Sequence, residues 1–233
     1  MQTAERNGLL VMLAAASGSA DGWSFFGLGH AFVANMTGNT VLAGVSVFHM
    51  ATDMAHPLAA LGGYVLGTIA GTLLNRRIRA GAIWAKSVSL TLFLESLMLA
   101  AAEWIWVVTR HHPGHRLELA LLAWIAMAIG LQSGSMLQLR IPGVVTTYIT
   151  GTWTILTSGV ALLVSRQHRA VRDKTKLEES FELQACVLAA YFLSAALCGW
   201  AFRHAADIVG AIPALVVLLV ASCAAIRRER PVS

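Results

Sequence analysis

Charge is what this chain has least of. Of its 233 residues only 12% are Asp, Glu, Lys or Arg, against 57% hydrophobic residues, where a soluble domain carries about 25% charged residues. With a mean hydropathy of +0.66, that scarcity excludes an ordinary soluble domain. The apolar runs are long and continuous rather than alternating, so a β-barrel is excluded too, and an all-α integral membrane protein is predicted over residues 1–233. Cysteine is also scarce. Cys186, Cys198 and Cys223 lie in apolar segments with no CxxC or Cys/His ligand spacing, which predicts small buried hydrophobes, no metal site and no cofactor. The motifs H-E-x-x-H, G-x-S-x-G and G-x-x-x-x-G-K are absent, so no enzymatic activity is expected. The net charge is +5, but its basic residues cluster at segment ends, which is the pattern of a membrane protein rather than of a nucleic-acid surface.

What is there is a series of eight apolar stretches, roughly 8–33, 38–50, 57–74, 87–109, 117–139, 147–165, 184–203 and 207–226. The run Leu9 to Ala16, after Arg6 and before small residues, resembles a signal peptide. Apolar character resumes at Trp23, however, so a retained membrane segment is expected. At about 20 residues per crossing, the second stretch is short. The sixth is short as well and rich in Thr, Ser and Gly.

Basic residues in the connections constrain the topology. Arg76, Arg77, Arg79 and Lys86 follow the third stretch, Arg166, Arg169, Arg172, Lys174 and Lys176 follow the sixth, and Arg227, Arg228 and Arg230 form the tail. The loop from His49 to His56 has no Lys or Arg. All three basic groups belong in the cytoplasm by the positive-inside rule, and eight full crossings cannot put them there. The conflict vanishes if the second and sixth stretches enter and leave on one side. Six crossings then remain, in two inverted three-crossing repeats, residues 8–109 and 117–226, with two short re-entrant or broken helices and both termini cytoplasmic. The competing arrangement keeps both short stretches as full helices and places one basic loop outside.

Paired polar motifs suggest the same duplication. Asn35-Met36-Thr37-Gly38-Asn39 pairs with Tyr148-Ile149-Thr150-Gly151-Thr152, and Gly18-Ser19-Ala20-Asp21-Gly22 pairs with Gly130-Leu131-Gln132-Ser133-Gly134. A Thr-Gly pair within a membrane needs hydrogen-bond partners inside the protein. Asp21 is the sharpest site candidate, because an ionisable group in a span faces a cavity or a partner. Gly18 and Gly22 could let the helix unwind around it for ion or substrate binding; the structural reading is a helix break with Asp21 capping the helix that starts at Trp23. Gln132 holds the corresponding place in the second half and would face Asp21, or else make an interhelical hydrogen bond. Thr37, Gly38, Asn39 and Thr150, Gly151, Thr152 would line a neutral polar site or cap the helices that follow. Asp21 and Glu95 are the proton-coupling candidates, with helix packing as the other reading of Glu95. Glu103 and Trp84, Trp104, Trp106 and Trp200 are expected at the membrane interface. His30 reads as a packing residue ahead of a titrating site, and His111, His112 and His115 read as a solvated loop ahead of a transition-metal site.

Gly63, Gly67 and Gly71 form a small-residue face, echoed weakly by Ala190, Ser194 and Cys198. The face is expected to pack internally, near the seventh stretch, giving a monomer rather than a homodimer.

Gly18-x-x-Asp21, Phe32-Val33-Ala34-Asn35-Met36-Thr37-Gly38-Asn39, Gly130-x-Gln132 and Thr146-Thr147-Tyr148-x-Thr150-Gly151-Thr152 resemble the YoaK family over nearly the whole chain. That resemblance implies a polytopic bacterial inner-membrane protein and no established activity. The chain departs from the pattern at Ser133, where Asn is expected. The expected function is passage of a small solute or ion through a polar site at the repeat interface, within the lipid bilayer and without nucleic acid; the alternative is a non-transporting membrane scaffold or accessory subunit.

Overall fold

A computed structural model describes residues 1–48, 53–78, 83–139, 149–164 and 174–228. Tyr148 and its neighbours Thr146 and Thr147, His49, and the basic residues Arg79, Arg166, Arg169, Arg172 and Arg230 lie outside the described residues. The described chain is helical throughout: α1 (Thr3–Gly27), α2 (Met36–Ser46), α3 (Ala55–Asn75), α4 (Lys86–Val108), α5 (His115–Gln138), α6 (Ile149–Val164), α7 (Lys174–His204), a 3₁₀ turn at Ala206–Ile208, and α8 (Ala211–Arg228). Six helices, α1, α3, α4, α5, α7 and the segment through α8, are long and apolar enough to cross a membrane. With 11 residues, α2 is about 16 Å long, too short to span a hydrocarbon core of about 30 Å.

The helices pack in exchanged pairs. α3 lies on α5 and α1 on α7; α4 lies on α8 and also touches α5, as α8 touches α1; α2 rests on α3 and α6 on α7. Exchanging the first four helices for the last four maps this set of pairs onto itself.

Glycine sets the closest of these contacts. A Cβ on Gly63, Gly67 or Gly71 of α3 would collide with the carbonyl oxygen of Ala123, Met127 or Leu131 on α5. Gly130 and Gly134 on α5 face the Tyr64 and Thr68 carbonyls in return. So the α3 glycines are used internally, as expected, but against α5 rather than the seventh stretch. α7 is occupied by α1, where Gly18 and Gly22 lie against Tyr191, Ser194, Ala195 and Cys198.

The two ends of the bundle differ. At one end His56 of α3 meets Glu118 of α5 at 3.2 Å, and His111, after α4, meets Asp207, between α7 and α8, at 2.9 Å. At the other, Asn75 at the end of α3 meets Ser135 of α5 at 2.9 Å, and Thr3 and Asn7 share a groove with Glu182 and Cys186. Arg76, Arg77 and Lys86 fall at this second end, as do the start of α7 at Lys174 and the end of α8 at Arg228.

Three expectations need correction. The first stretch does not continue to residue 33: α1 stops at Gly27 and the backbone reverses at Gly29 (φ 75°) and His30 (φ 57°). Trp106 and Trp84 are not interfacial but buried. Trp106 packs edge-on against Trp23 with ring centroids 6.4 Å apart, and Trp84 donates to Ser89 Oγ at 2.9 Å; Trp104 and Trp200 do lie on the exterior. Glu103 is also buried rather than interfacial, and accepts from the Gly210 N–H at 3.1 Å, just ahead of α8.

Candidate functional site

Asp21 sits inside α1, about 9 Å along the axis before Gly27. The helix is continuous through Gly18 and Gly22; the glycines serve close packing on α7 and do not unwind the helix. Nor does Asp21 cap a helix at Trp23. Only 3% exposed, it reaches sideways to the segment that leads into α2. Its Oδ1 accepts from the Val33 N–H at 2.8 Å and the Ala34 N–H at 2.6 Å, and its Oδ2 accepts from the Tyr191 hydroxyl of α7.

That segment is irregular, with bends at Val33 and Ala34, and leaves N–H groups that in a membrane must find partners inside the protein. Asn39 supplies two more. Its Oδ1 accepts from the Phe32 N–H at 2.9 Å and its Nδ2 donates to the Phe32 carbonyl at 2.6 Å. Asn35 caps α2 through the Gly38 N–H at 3.1 Å. The polar run 35–39 thus holds a chain reversal whose innermost point lies at the depth of Asp21.

The members of the second motif differ in placement. Thr152 is buried, as Asn39 is, whereas Thr150 and Thr37 are exposed. Gly38 is half-buried and Gly151 buried. Ile149, the first residue of α6, lines a groove of about 550 Å³ with Trp153, Leu188, Tyr191 and Phe192. Tyr191 therefore lines one groove with the start of α6 and donates to Asp21.

Gln132 is fully buried and donates to Ser17 Oγ at 3.2 Å, one helical turn from Asp21. It is not the positional counterpart of Asp21. Gly18 and Gly130 meet the carbonyls of Tyr191 and Tyr64, and Gly22 and Gly134 meet those of Ala195 and Thr68. In that register Asp21 corresponds to Ser133, and Tyr191 to Tyr64. The pairing of Gln132 with Asp21 follows side-chain polarity and stands one residue off the register of these glycine contacts.

Glu95 lies on a different seam. It is fully buried on α4 between Leu92 and Leu99, and neither carboxyl oxygen has a hydrogen-bond partner among the described residues. Asn75 was missed by sequence reading, because a lone Asn at the end of an apolar run resembles a boundary residue. It is 1% exposed, and its Nδ2 lies 3.0 Å from Thr91 Oγ1 of α4 and 2.9 Å from Ser135 Oγ of α5.

These features define the class: a polytopic α-helical membrane protein with a buried polar centre between exchanged helix pairs. The model of the family described as "Protein of unknown function (DUF1275)" matches residues 9–224, and the chain belongs to that family. It is 29% identical over 187 residues to the UPF0700 transmembrane protein YoaK of Bacillus subtilis (strain 168), covering 79% of this chain and 81% of that protein. No solved structure matches.

Proposed function

We propose that this protein passes a small solute or ion across the bacterial inner membrane between two inverted repeats, residues 8–109 and 117–226, with α2 and α6 as re-entrant helices. One observation carries the reading: the approaches to both short helices lie near one pair of side chains, Asp21 and the half-buried Tyr191. The segment into α2 is tied to Asp21 by Ala34, and Ile149, which opens α6, lines one groove with Tyr191. Helix N-termini near a polar pair offer free N–H groups and the positive ends of dipoles in its neighbourhood, which suits binding of a small polar or charged species. Asp21, Gln132, Asn39 and Thr152 are the buried members of this centre; Gly38 and Gly151 lie beside them, and Thr37 and Thr150 at its outer rim.

The basic end of the bundle is cytoplasmic in this reading, with both termini there. The α3 glycines are consumed by α5, which supports a monomer. Flux in proteoliposomes across a panel of ions, amines, acids and sugars tests the proposal. Solute-dependent flux that is lost in a folded Asp21→Asn protein supports it.

A second reading, a non-transporting scaffold, has its own observation. Both carboxylate oxygens of Asp21 are occupied by protein donors: two backbone N–H groups and the Tyr191 hydroxyl. No flux for any member of the panel, with Asp21→Asn lowering thermal stability alone, favours the scaffold.

A further inference from the structure

At the end of the bundle away from the basic loops, four side chains from distant parts of the chain converge. Asp53 precedes α3, His56 lies in its first turn, and His115 and Glu118 lie in the first turn of α5. One ligand atom each of Asp53, His56 and His115 lies within 4.8 Å of the other two. His56 Nδ1 is 2.9 Å from Asp53 Oδ2 and His56 Nε2 is 3.2 Å from Glu118 Oε1. The His56 and His115 ring centroids are 5.5 Å apart.

His56 is a buried imidazole, 6% exposed, with a carboxylate oxygen at each nitrogen. A neutral imidazole carries one N–H and can donate to only one of them. The other nitrogen presents a lone pair to a carboxylate, an unfavourable contact that either a second ring proton or a bound cation relieves. The surroundings are shaped for the ring: Gly29 has φ 75°, and a Cβ there would collide with the His56 imidazole.

We propose that Asp53, His56 Nδ1 and His115 bind one divalent transition-metal ion of the zinc class, with Glu118 as the outer carboxylate on His56 Nε2. Two imidazoles and one carboxylate select a borderline ion over magnesium or calcium, which take oxygen ligands. Ligand atoms on a tetrahedral zinc lie about 3.3 Å apart, within the spread found here. Three protein ligands leave one position open. The supporting bonds match what ligands need: a carboxylate holds the distal nitrogen of His56 and fixes its tautomer, and Asp53 Oδ1 accepts from the Ala55 N–H at 2.8 Å. The site is separate from the Asp21 centre, and an ion there ties α3 of one half to α5 of the other.

Zn²⁺ titration of the purified, chelator-stripped full chain in detergent tests the proposal, with Co²⁺ as the spectroscopic probe. One saturable Zn²⁺ per chain is expected, together with a visible Co²⁺ band of low coordination number. Affinity should fall at least about 10-fold in His115→Ala and Asp53→Asn, both at exposed positions, and about 10- to 100-fold in Glu118→Gln. His112→Ala and His204→Ala should leave it unchanged. Absence of saturable Zn²⁺ binding, or binding that survives His115→Ala and Asp53→Asn, would overturn the site and leave a hydrogen-bonded imidazolium in its place.

Discussion

Asp21 on α1 accepts a hydrogen bond from the Tyr191 hydroxyl on α7, from a residue 170 positions away, while its other oxygen holds the Val33 and Ala34 N–H groups. One carboxylate thus joins the two halves and fixes the entry to α2. Asp21→Asn keeps an oxygen for the backbone and an amide for the hydroxyl, which can turn to accept. Asp21→Ala leaves two buried N–H groups without their acceptor, each at a cost of about 1–3 kcal/mol. The expected order of thermal stability in detergent is wild type, then Asp21→Asn, then Asp21→Ala well below. Equal losses for the two variants would show that the charge, rather than the acceptor geometry, does the holding.

Adjacent glycines on α3 give an internal control. A Cβ at Gly62 meets nothing within 4 Å, so Gly62→Ala should gain up to about 1 kcal/mol of helix propensity. Gly63 and Gly67 abut α5 carbonyls, so Gly63→Ala should lower the melting temperature, and Gly67→Leu should prevent the monomer from folding. A Gly67→Leu protein that folds in detergent and merely passes from dimer to monomer would mean that this face serves association between chains.

Hydropathy delineated the helices because α3, α4 and α5 are bounded by charged or turn residues close to their ends. It ran past the end of α1 because Phe32, Val33 and Ala34 are apolar yet not helical; what ends the helix is the reversal at Gly29 and His30, a backbone property with no hydropathy signal. It placed the start of α7 late, since Lys174 to Glu182 is helical but charged. Within the site, Asp21 and Asn39 were legible as polar residues out of place. Their partners were not, because Tyr191 belongs to an apolar run and the N–H groups of residues 32–34 belong to no side chain. The cluster of Asp53, His56, His115 and Glu118 was not legible as a whole for another reason: its members lie at the starts of α3 and α5, whose pairing only the fold reveals.

Asn75 joins α3 to α4 and α5 through the Thr91 and Ser135 hydroxyls, which donate in turn to their own helix carbonyls at 2.8 Å and 2.7 Å. Interhelical hydrogen bonds in membranes average about 0.6 kcal/mol. Asn75→Ala should therefore cost about 1 kcal/mol, and Ser135→Ala in that background almost nothing further. A double-mutant cycle on melting in detergent measures this; additive losses would refute the shared network.

The end-to-end arrangement predicts labelling sides. In a background with Cys186, Cys198 and Cys223 replaced, Arg77→Cys should react only with reagent supplied from the cytoplasm. His112→Cys and Asp207→Cys should react from outside. Arg77 and His112 labelled from one side would break the six-crossing arrangement, because they lie at opposite ends of α4.

Glu95 separates stability from function. Its carboxyl is fully buried and neither oxygen meets a donor among the described residues, while Leu92 and Leu99 flank it on the same helix face. Placing a polar group in apolar surroundings without a hydrogen bond costs about 1–3 kcal/mol on the scale of protein substitutions. Leucine has nearly the same volume and no such cost, so Glu95→Leu should raise the melting temperature, with Glu95→Gln close to wild type. If Glu95 carries protons through the span, both variants should lose the pH dependence of flux while remaining folded, since site groups often persist at the expense of stability. Melting curves and pH-jump flux measured on the same preparations decide between the roles. A lower melting temperature for Glu95→Leu would mean that a donor outside the described residues holds the carboxyl, making it a packing residue.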